Sequence, residues 1–307
     1  MKTLQVSVVM SVYNGEAFLR DAIDSILAQT YKDFEFVIVN DGSTDGSESI
    51  IKSYNDPRIK LFSQDNEGLV AGLNKGIEQS SGEYIARQDA DDMSEPTRLQ
   101  KQLGLLQADE ELVIVGSSMK VMDGAGKVLH EHRVLLNDPE LEQELLIRSP
   151  FAHGSVVFRK SAYDKAGGYT QDEWPAEDYG LWLRMASFGK FANVDEPLYV
   201  YRDNAAGISA QNSTQQDGKR DALRLKAWST RKTLLPKHLL TAGYVDLEMG
   251  QLQVERIASN LLFVLRKSLR RANLPTTITC LKLLLTDRGL RRKCARLIGV
   301  RLGLKHV

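Results

Sequence analysis

Cysteine is nearly absent from this 307-residue chain: Cys280 and Cys294 are its two, with no CxxC pair and no neighbouring histidines. That removes the material for a disulfide framework or a Cys/His zinc site and leaves two small hydrophobes suited to a reducing compartment. Long apolar runs are lacking too, since nothing approaches the roughly 18 residues of a spanning helix. The opening MKTLQVSVVMSVYNG is too polar and wrongly bounded for a signal peptide. The expectation is a cytoplasmic protein, soluble or peripheral on the inner face of the membrane. Two phosphate signatures are also missing. No GxGxxG follows the first apolar run, which disfavours a dinucleotide site, and no GxxxxGK[ST] occurs, which removes the P-loop proteins. Net charge is zero only in sum: Val254 to Val307 carries 13 Lys/Arg against 2 Asp/Glu, while the preceding residues hold 27 basic and 38 acidic side chains.

What is present is an alternation of buried strands and amphipathic helices. Val6–Ser11 is a continuous apolar run, the pattern of a strand covered on both faces. It breaks at Tyr13-Asn14-Gly15, after which Phe18–Gln29 shows helical spacing through Leu19, Ile23, Ile26 and Leu27. Strand Phe34–Val39 ends in NDGSTD. A helix through Ile50-Ile51, strand Ile59–Phe62, loop Asn66-Glu67-Gly68, helix Leu69–Gln79 and strand Tyr84–Arg87 follow. This order implies a parallel, right-handed α/β sheet whose ligands sit at the carboxyl ends of the strands, where Asp41, Gly68 and Asp89–Asp92 fall. Further on, the pattern predicts a helix over Pro96–Gln107, strands over Val113–Met122 and Val128–Glu131, and a helix over Pro139–Ile147. A strand over Val156–Phe158, a helix over Glu177–Ser187 and a last strand over Tyr199–Tyr201 complete it. Beyond about Asn204 only helices are expected, over Asp221–Thr233, Leu247–Arg271, Thr276–Thr286 and Leu290–Leu302. The chain divides into an α/β domain, 1–203, and a helical basic region, 204–307.

The stretch GEYIARQDADD, Gly82–Asp92, carries the strongest chemical signal. A short apolar strand runs into three aspartates, Asp89, Asp91 and Asp92. Carboxylates packed together repel, and a cation among them relieves the repulsion; oxygen ligands without His or Cys suit Mg²⁺ or Mn²⁺. The plain alternative is a solvated acidic turn. An aspartyl-phosphate phosphatase would carry such a pair after its first strand, whereas this one follows the fourth.

Five segments occur in order: SVVMSVYNGE, FVIVNDGSTD, NEGLVAGLNKGI, YIARQDADD and WPAEDYGLWLR. Together they resemble the inverting nucleotide-sugar glycosyltransferases of family 2, which have the GT-A fold, and the resemblance covers about residues 3–203. It implies an α/β, mostly parallel nucleotide-binding sheet flanked by helices, with an α-helical appendage. It also implies transfer of a sugar from a nucleotide donor to an acceptor hydroxyl, as in surface polysaccharide synthesis. Asp41 matches the aspartate placed against the nucleobase. A carboxylate accepts the N3–H of uracil or thymine, which favours a UDP- or dTDP-sugar over CDP and leaves GDP open; the plain structural role is an Asx-turn with Gly42-Ser43. Tyr13 would pack on the base, Gly68 would let backbone approach the ligand, and Asn74 would pass the ribose. Arg87 would counter the diphosphate, whereas Lys75 reads as a solvated helix face. Asp91 would ligate Mn²⁺ or Mg²⁺, and Asp89 would hold the ribose or a metal-bound water. Asp92 would cap a helix near Pro96 or brace the pair. Asp178 of the Glu177-Asp178 pair would be the general base. His153, Trp174 and Glu177 are candidates for acceptor or metal contact, and Trp182 reads as core.

The basic tail fits either a membrane-surface element attracted to anionic lipid or a packed appendage or homodimer contact. Nucleic acid is not an expected partner, because interleaved aromatics and binding motifs are absent. Competing functions are transfer to polyprenyl phosphate, where the anionic acceptor needs no strong base, and a catalytically silent scaffold.

Overall fold

In the computed structural model the described residues are 5–145, 148–204, 207–229 and Leu281. The helices expected over Leu247–Arg271, Thr276–Thr286 and Leu290–Leu302, with the membrane and dimer contacts attached to them, lie outside the described residues. The first half runs β1 (Val6–Val12), α1 (Leu19–Leu27), β2 (Phe34–Asp41), α2 (Ser47–Lys52), β3 (Ile59–Gln64), α3 (Leu69–Glu78) and β4 (Tyr84–Arg87). These strands pair in parallel in the order β3-β2-β1-β4. The winding direction therefore reverses between β1 and β4, and their carboxyl ends flank the crevice where open α/β sheets take ligands.

The second half adds β5 (Met93–Ser94), α4 (Arg98–Ala108), β6 (Leu112–Met122), β7 (Val128–His132), α5 (Asp138–Leu145), β8 (Val157–Arg159), α6 (Lys160–Ala166), α7 (Glu177–Met185), β9 (Lys190–Arg202), α8 (Ile208–Gln211) and α9 (Ser213–Ser229). Here the sheet turns mixed. β8 is antiparallel to both β4 and β6, β9 is parallel to β6, and β5 is antiparallel to β9. The parallel arrangement read from the sequence holds for the first four strands and gives way after them.

β1, β2 and β4 are buried almost throughout, so their apolar runs are continuous, yet their side chains still alternate between two faces. Val9, Val37, Ile85 and Phe158 face a layer containing Leu73 and Ile77 of α3 and Trp182 of α7. Val8, Met10, Phe36, Ile38 and Ala86 face a layer containing Leu19, Ile23 and Ile26 of α1 and Leu99, Leu103 and Leu106 of α4. Trp182 is fully buried, as its helical spacing implied.

Three elements depart from expectation. α6 was not anticipated, because KSAYDKA holds too few apolar residues for a stripe. β5 is two residues long, below what any pattern resolves. β9 runs from Lys190 although only Tyr199–Tyr201 was expected, since Asp195-Glu196-Pro197 interrupts the alternation. The ladder slips there, with Ser117 opposite Val194 but Ser118 opposite Pro197, so the proline sits at an irregularity rather than in a regular pairing. β5 matters to the site: Met93 pairs with Val200 and Ser94 with Tyr199, which lays the end of β9 beside the acidic turn.

Candidate active site

Residues 89–92 form a turn between β4 and β5 that is held from every side. Below it, Gln88 donates to the carbonyls of Asp89 (3.1 Å) and Asp92 (2.9 Å). The Gln88 side-chain oxygen is in turn fixed by Ser94 Oγ (2.6 Å) and Arg98 (3.1 Å). On the flank, Tyr199 donates to Asp92 Oδ2 (2.8 Å), and the Arg202 backbone N–H donates to Asp92 Oδ1 (2.7 Å). Arg202 also bonds the Asp91 carbonyl (2.9 Å) and lies over the Phe18 ring. Asp92 is buried and committed to these partners, so it braces the turn and does not cap the helix near Pro96. Burial, with Asp89 and Asp91 nearby, raises its pKa well above the carboxylate range.

Asp89 and Asp91 face the crevice and differ in charge environment. Burial pushes Asp89 up, but the Arg87 guanidinium ion-paired to its Oδ1 outweighs this and holds it low. Burial and then the Asp89 charge raise Asp91, whose Oδ2 accepts from Asn204 at 3.1 Å. Arg87 itself departs from expectation. It is 0% exposed and spends its donors on Asp89, on the carbonyls of Val9 and Gln88, and on His153. A guanidinium so enclosed supports Asp89; it is not the direct diphosphate contact that its place before the acidic run suggested.

At the carboxyl end of β2, Asp41 is 2% exposed. Its Oδ1 accepts from Gln64 (2.6 Å) and the Glu67 N–H (3.0 Å), and its Oδ2 accepts from the Gly68 N–H (2.9 Å). The carboxylate thus shapes the loop into α3, and these three bonds leave about one of its four lone-pair positions for a ligand. It is Asn40, not Asp41, whose Oδ1 receives a backbone N–H of this turn, that of Ser43, three residues on, at 3.2 Å. Gly68 has φ +88°, and a Cβ there would meet nothing within 4 Å, so the backbone faces open space in a conformation that glycine favours. Tyr13 is 52% exposed just beyond β1, free to pack on a base. Asn74 has a structural task at α3. Its amide bonds the backbone of Tyr169 and the Tyr163 hydroxyl, tying α3 to the turn after α6. Lys75 lies in a groove of about 500 Å³ along α3, with Gln64, Glu67, Asn74 and Glu78; no residue of the acidic turn or of α7 lines it.

The second acidic pair opens α7. Asp178 is half-buried, and burial raises its pKa against the opposing pull of the Tyr179 N–H and Arg220. Glu177 is turned inward, 5% exposed, and burial plus Asp178 push it up to about 8. Its Oε1 stands 3.7 Å from His153 Nδ1. His153 Nε2 faces Arg87 Nε (3.3 Å) and the Tyr169 hydroxyl (2.8 Å). Because Arg87 only donates, Nε2 is the acceptor and the ring proton sits on Nδ1. Burial and Arg87 depress His153 to about 3, so the ring is neutral. His153 and Glu177, named as candidates for metal or acceptor contact, thus stand side by side in the wall beneath the crevice, with His153 Nε2 occupied by Arg87 and Tyr169. Trp174 is half-buried against the core beside α7.

Several contributors escaped the sequence reading: Arg98, Tyr199, Arg202 and Asn204 around the turn, and Arg220 near Asp178. Arg220 belongs to a face of α9 laid along α7, where Gln216 donates to the Pro175 carbonyl at 2.9 Å. Spacing of four along α9 places Gln216, Arg220 and Arg224 on one stripe.

A model of glycosyl transferase family 2 matches residues 7–167. The chain belongs to this family. EpsE of Bacillus subtilis (strain 168), described as a glycosyltransferase, is 38% identical over 217 residues, 68% of this chain and 77% of its own. The O-antigen biosynthesis glycosyltransferase WbnJ of Escherichia coli is 33% identical over 204 residues, 64% of this chain and 79% of its own. In three dimensions the chain is similar to S. aureus TarS 1-349 in complex with UDP, with TM-score 0.61, 15% identity, and coverage of 99% of this chain and 93% of that one. The complex of the same TarS segment with UDP-GlcNAc gives TM-score 0.57 at 14% identity, with the same coverage. The mixed sheet with flanking helices is the GT-A fold, and the protein is a glycosyltransferase. No helix among the described residues is long and apolar enough to cross a membrane.

Proposed function

We propose that this glycosyltransferase moves a sugar, with inversion and with a divalent cation, from a UDP-sugar (or dTDP-sugar) to a hydroxyl of a glycan or lipid-linked saccharide in surface polysaccharide synthesis. The observation that carries this reading is the pairing of two unlike acidic centres across one crevice. Asp89 and Asp91 stand ionisable on a braced turn at the β1–β4 switch, and Asp178 stands with a raised pKa at the start of α7. The UDP and UDP-GlcNAc complexes of TarS and the O-antigen role in the name of WbnJ support the donor class and the setting.

The residues present fit a cation delivered with the donor. Among the described residues no group of three or more His, Cys, Asp or Glu could hold an ion by itself. A Mg²⁺ or Mn²⁺ site of the substrate-sharing kind needs only one or two carboxylates, with phosphate oxygens and waters completing the shell. Asp91 would hold the ion with Asp89 in support, and the mutual repulsion of this pair is what the ion relieves. When bound, the ion neutralises charge building on the departing diphosphate. Gly68 and the Asp41 loop receive the nucleoside, with Tyr13 beside it. On the opposite side Asp178 takes the proton of the acceptor hydroxyl as that oxygen attacks the anomeric carbon from the face away from the diphosphate. A carboxylate raised above its ordinary pKa is a stronger base and is better matched to that transfer. One displacement inverts the anomeric centre, so no second nucleophilic carboxylate is required.

The test is a panel of UDP-, dTDP-, GDP- and CDP-sugars with Mn²⁺, read by nucleotide release and by the anomeric proton coupling of any product. Release from UDP- or dTDP-sugars with an inverted product supports the reading. A retained configuration, or release that ignores the cation, overturns it.

A further inference from the structure

We propose that Tyr199 is a positioning residue that holds the acidic turn in the shape a cation-borne diphosphate requires, with Arg98 acting beneath it. This rests on the reading of that turn as the donor site. Tyr199 stands on β9 and is 0% exposed. Its hydroxyl donates to Asp92 Oδ2 at 2.8 Å, lies 3.4 Å from Asp89 Oδ2, and accepts the Asp89 N–H at 3.3 Å. A single oxygen therefore joins the two ends of the turn.

The ring has a second task. Arg98 lies against it, its guanidinium carbon 5.2 Å from the ring centre. Arg98 is also 0% exposed, and its hydrogen bonds go to neutral acceptors: the side chains of Gln102, Gln88 and Ser94, and the carbonyls of Arg87 and Val156. A buried charge is costly unless opposite charge lies near. The Asp89 carboxylate, held ionised by Arg87, supplies it from beyond the Tyr199 ring and exerts a pull on Arg98. The ring thus works as a spacer. Arg98 stabilises the acidic turn at a distance but cannot collapse onto its carboxylates, so their oxygens stay available to an incoming ion. Gly154 keeps the phenol in place: a Cβ there would overlap the Tyr199 hydroxyl and come within 2.6 Å of Asp89 Oδ2.

Calorimetric titration with UDP, at saturating and at zero Mn²⁺, compares the wild type with Tyr199→Phe and Gly154→Ala. Each variant should weaken Mn²⁺-dependent UDP binding about tenfold, the scale of one hydrogen bond to a charged group. The Mn²⁺ concentration for half-maximal binding should rise, while UDP binding without the ion stays at the wild-type value. Tyr199→Phe alone decides if Gly154→Ala does not fold. Equal losses with and without Mn²⁺ would mean a merely structural tyrosine and overturn the proposal, as would a Tyr199→Phe variant matching a cation-dependent wild type. A wild type whose UDP affinity ignores Mn²⁺ overturns the cation reading and this proposal together.

Discussion

The two acidic centres of the crevice are built on opposite plans. The Asp89–Asp92 turn is enclosed by Arg87, Gln88, Arg98, Tyr199 and Arg202, and nearly every polar atom around it has a fixed partner. Asp178 is held only by helix N–H groups and by the distant charge of Arg220. On the proposed reading, the difference follows from what each would meet. A cation and a diphosphate demand fixed oxygens with charge already present, and the Arg87 ion pair that keeps Asp89 ionised fits that demand. A proton demands a carboxylate whose affinity for it has been raised, which burial achieves without a rigid cage. Glu177, next along the helix, marks the limit of that strategy: at about 8 it stays protonated at neutral pH and faces inward.

Breaking one centre should therefore leave the other working. The largest effect is expected from Asp178→Asn, which should lower kcat by about 10²–10⁴, measured as transfer at saturating donor. Asp91→Ala should weaken UDP binding in Mn²⁺ on the order of a hundredfold, the cost of losing a ligand to a catalytic ion, read by calorimetry. A finer separation comes from Arg220→Gln. Groups facing Asp178 include Glu177, Asp89 and Arg220, and only the last lowers its pKa. The base works deprotonated, so activity falls as pH drops through the raised pKa. Loss of Arg220 should move that acid limb to higher pH, and Arg220→Lys should restore it; an unmoved limb would falsify the electrostatic link.

The smallest effect on chemistry is expected from Glu35, a buried carboxylate at the opposite end of β2 from Asp41. Burial pushes Glu35 upward, but Lys60, Ser7 and Ser81 outweigh it and hold the group at about 2. Its folded pKa lies below its unfolded one, so its contribution to stability is complete above the ordinary glutamate range and is lost as pH falls toward 2. Glu35→Gln should cost about 1–3 kcal/mol of unfolding free energy at pH 7 and leave kcat unchanged. Denaturant melts at pH 7 and pH 3 check this, with the variant's deficit shrinking at the lower pH.

How much of this was legible follows from where the signals lie. β1, β2 and β4 are continuous apolar runs, and each ends in polar residues, so Asp41 and the acidic turn could be placed at strand ends from the sequence; Gly68 was placed by the helical spacing that begins at Leu69. The second half resisted because β9 carries Asp195-Glu196-Pro197 in mid-strand and β5 is two residues long. Arg87 misled because adjacency to three aspartates reads as ligand charge. The strand YIAR is buried at all four positions, which only the pairing of β4 with β1 and β8 makes evident. Arg98 looks like an ordinary helix-start cation. Its partners Gln88 and Tyr199 lie on other elements, and only Gln102, one helical turn on, hints at a buried role. The helix that Asp178 opens was readable from the local pattern and its proposed role came from the family resemblance, whereas Arg220, brought to it by α9, was not readable.

The division of labour is tested most directly by UDP affinity in Mn²⁺ measured on Asp178→Asn beside Asp91→Ala. We expect Asp178→Asn to bind UDP as the wild type does while transfer falls by about 10²–10⁴, and Asp91→Ala to weaken cation-dependent binding. Weak UDP binding by Asp178→Asn, or undiminished cation-dependent binding by Asp91→Ala, would contradict the account.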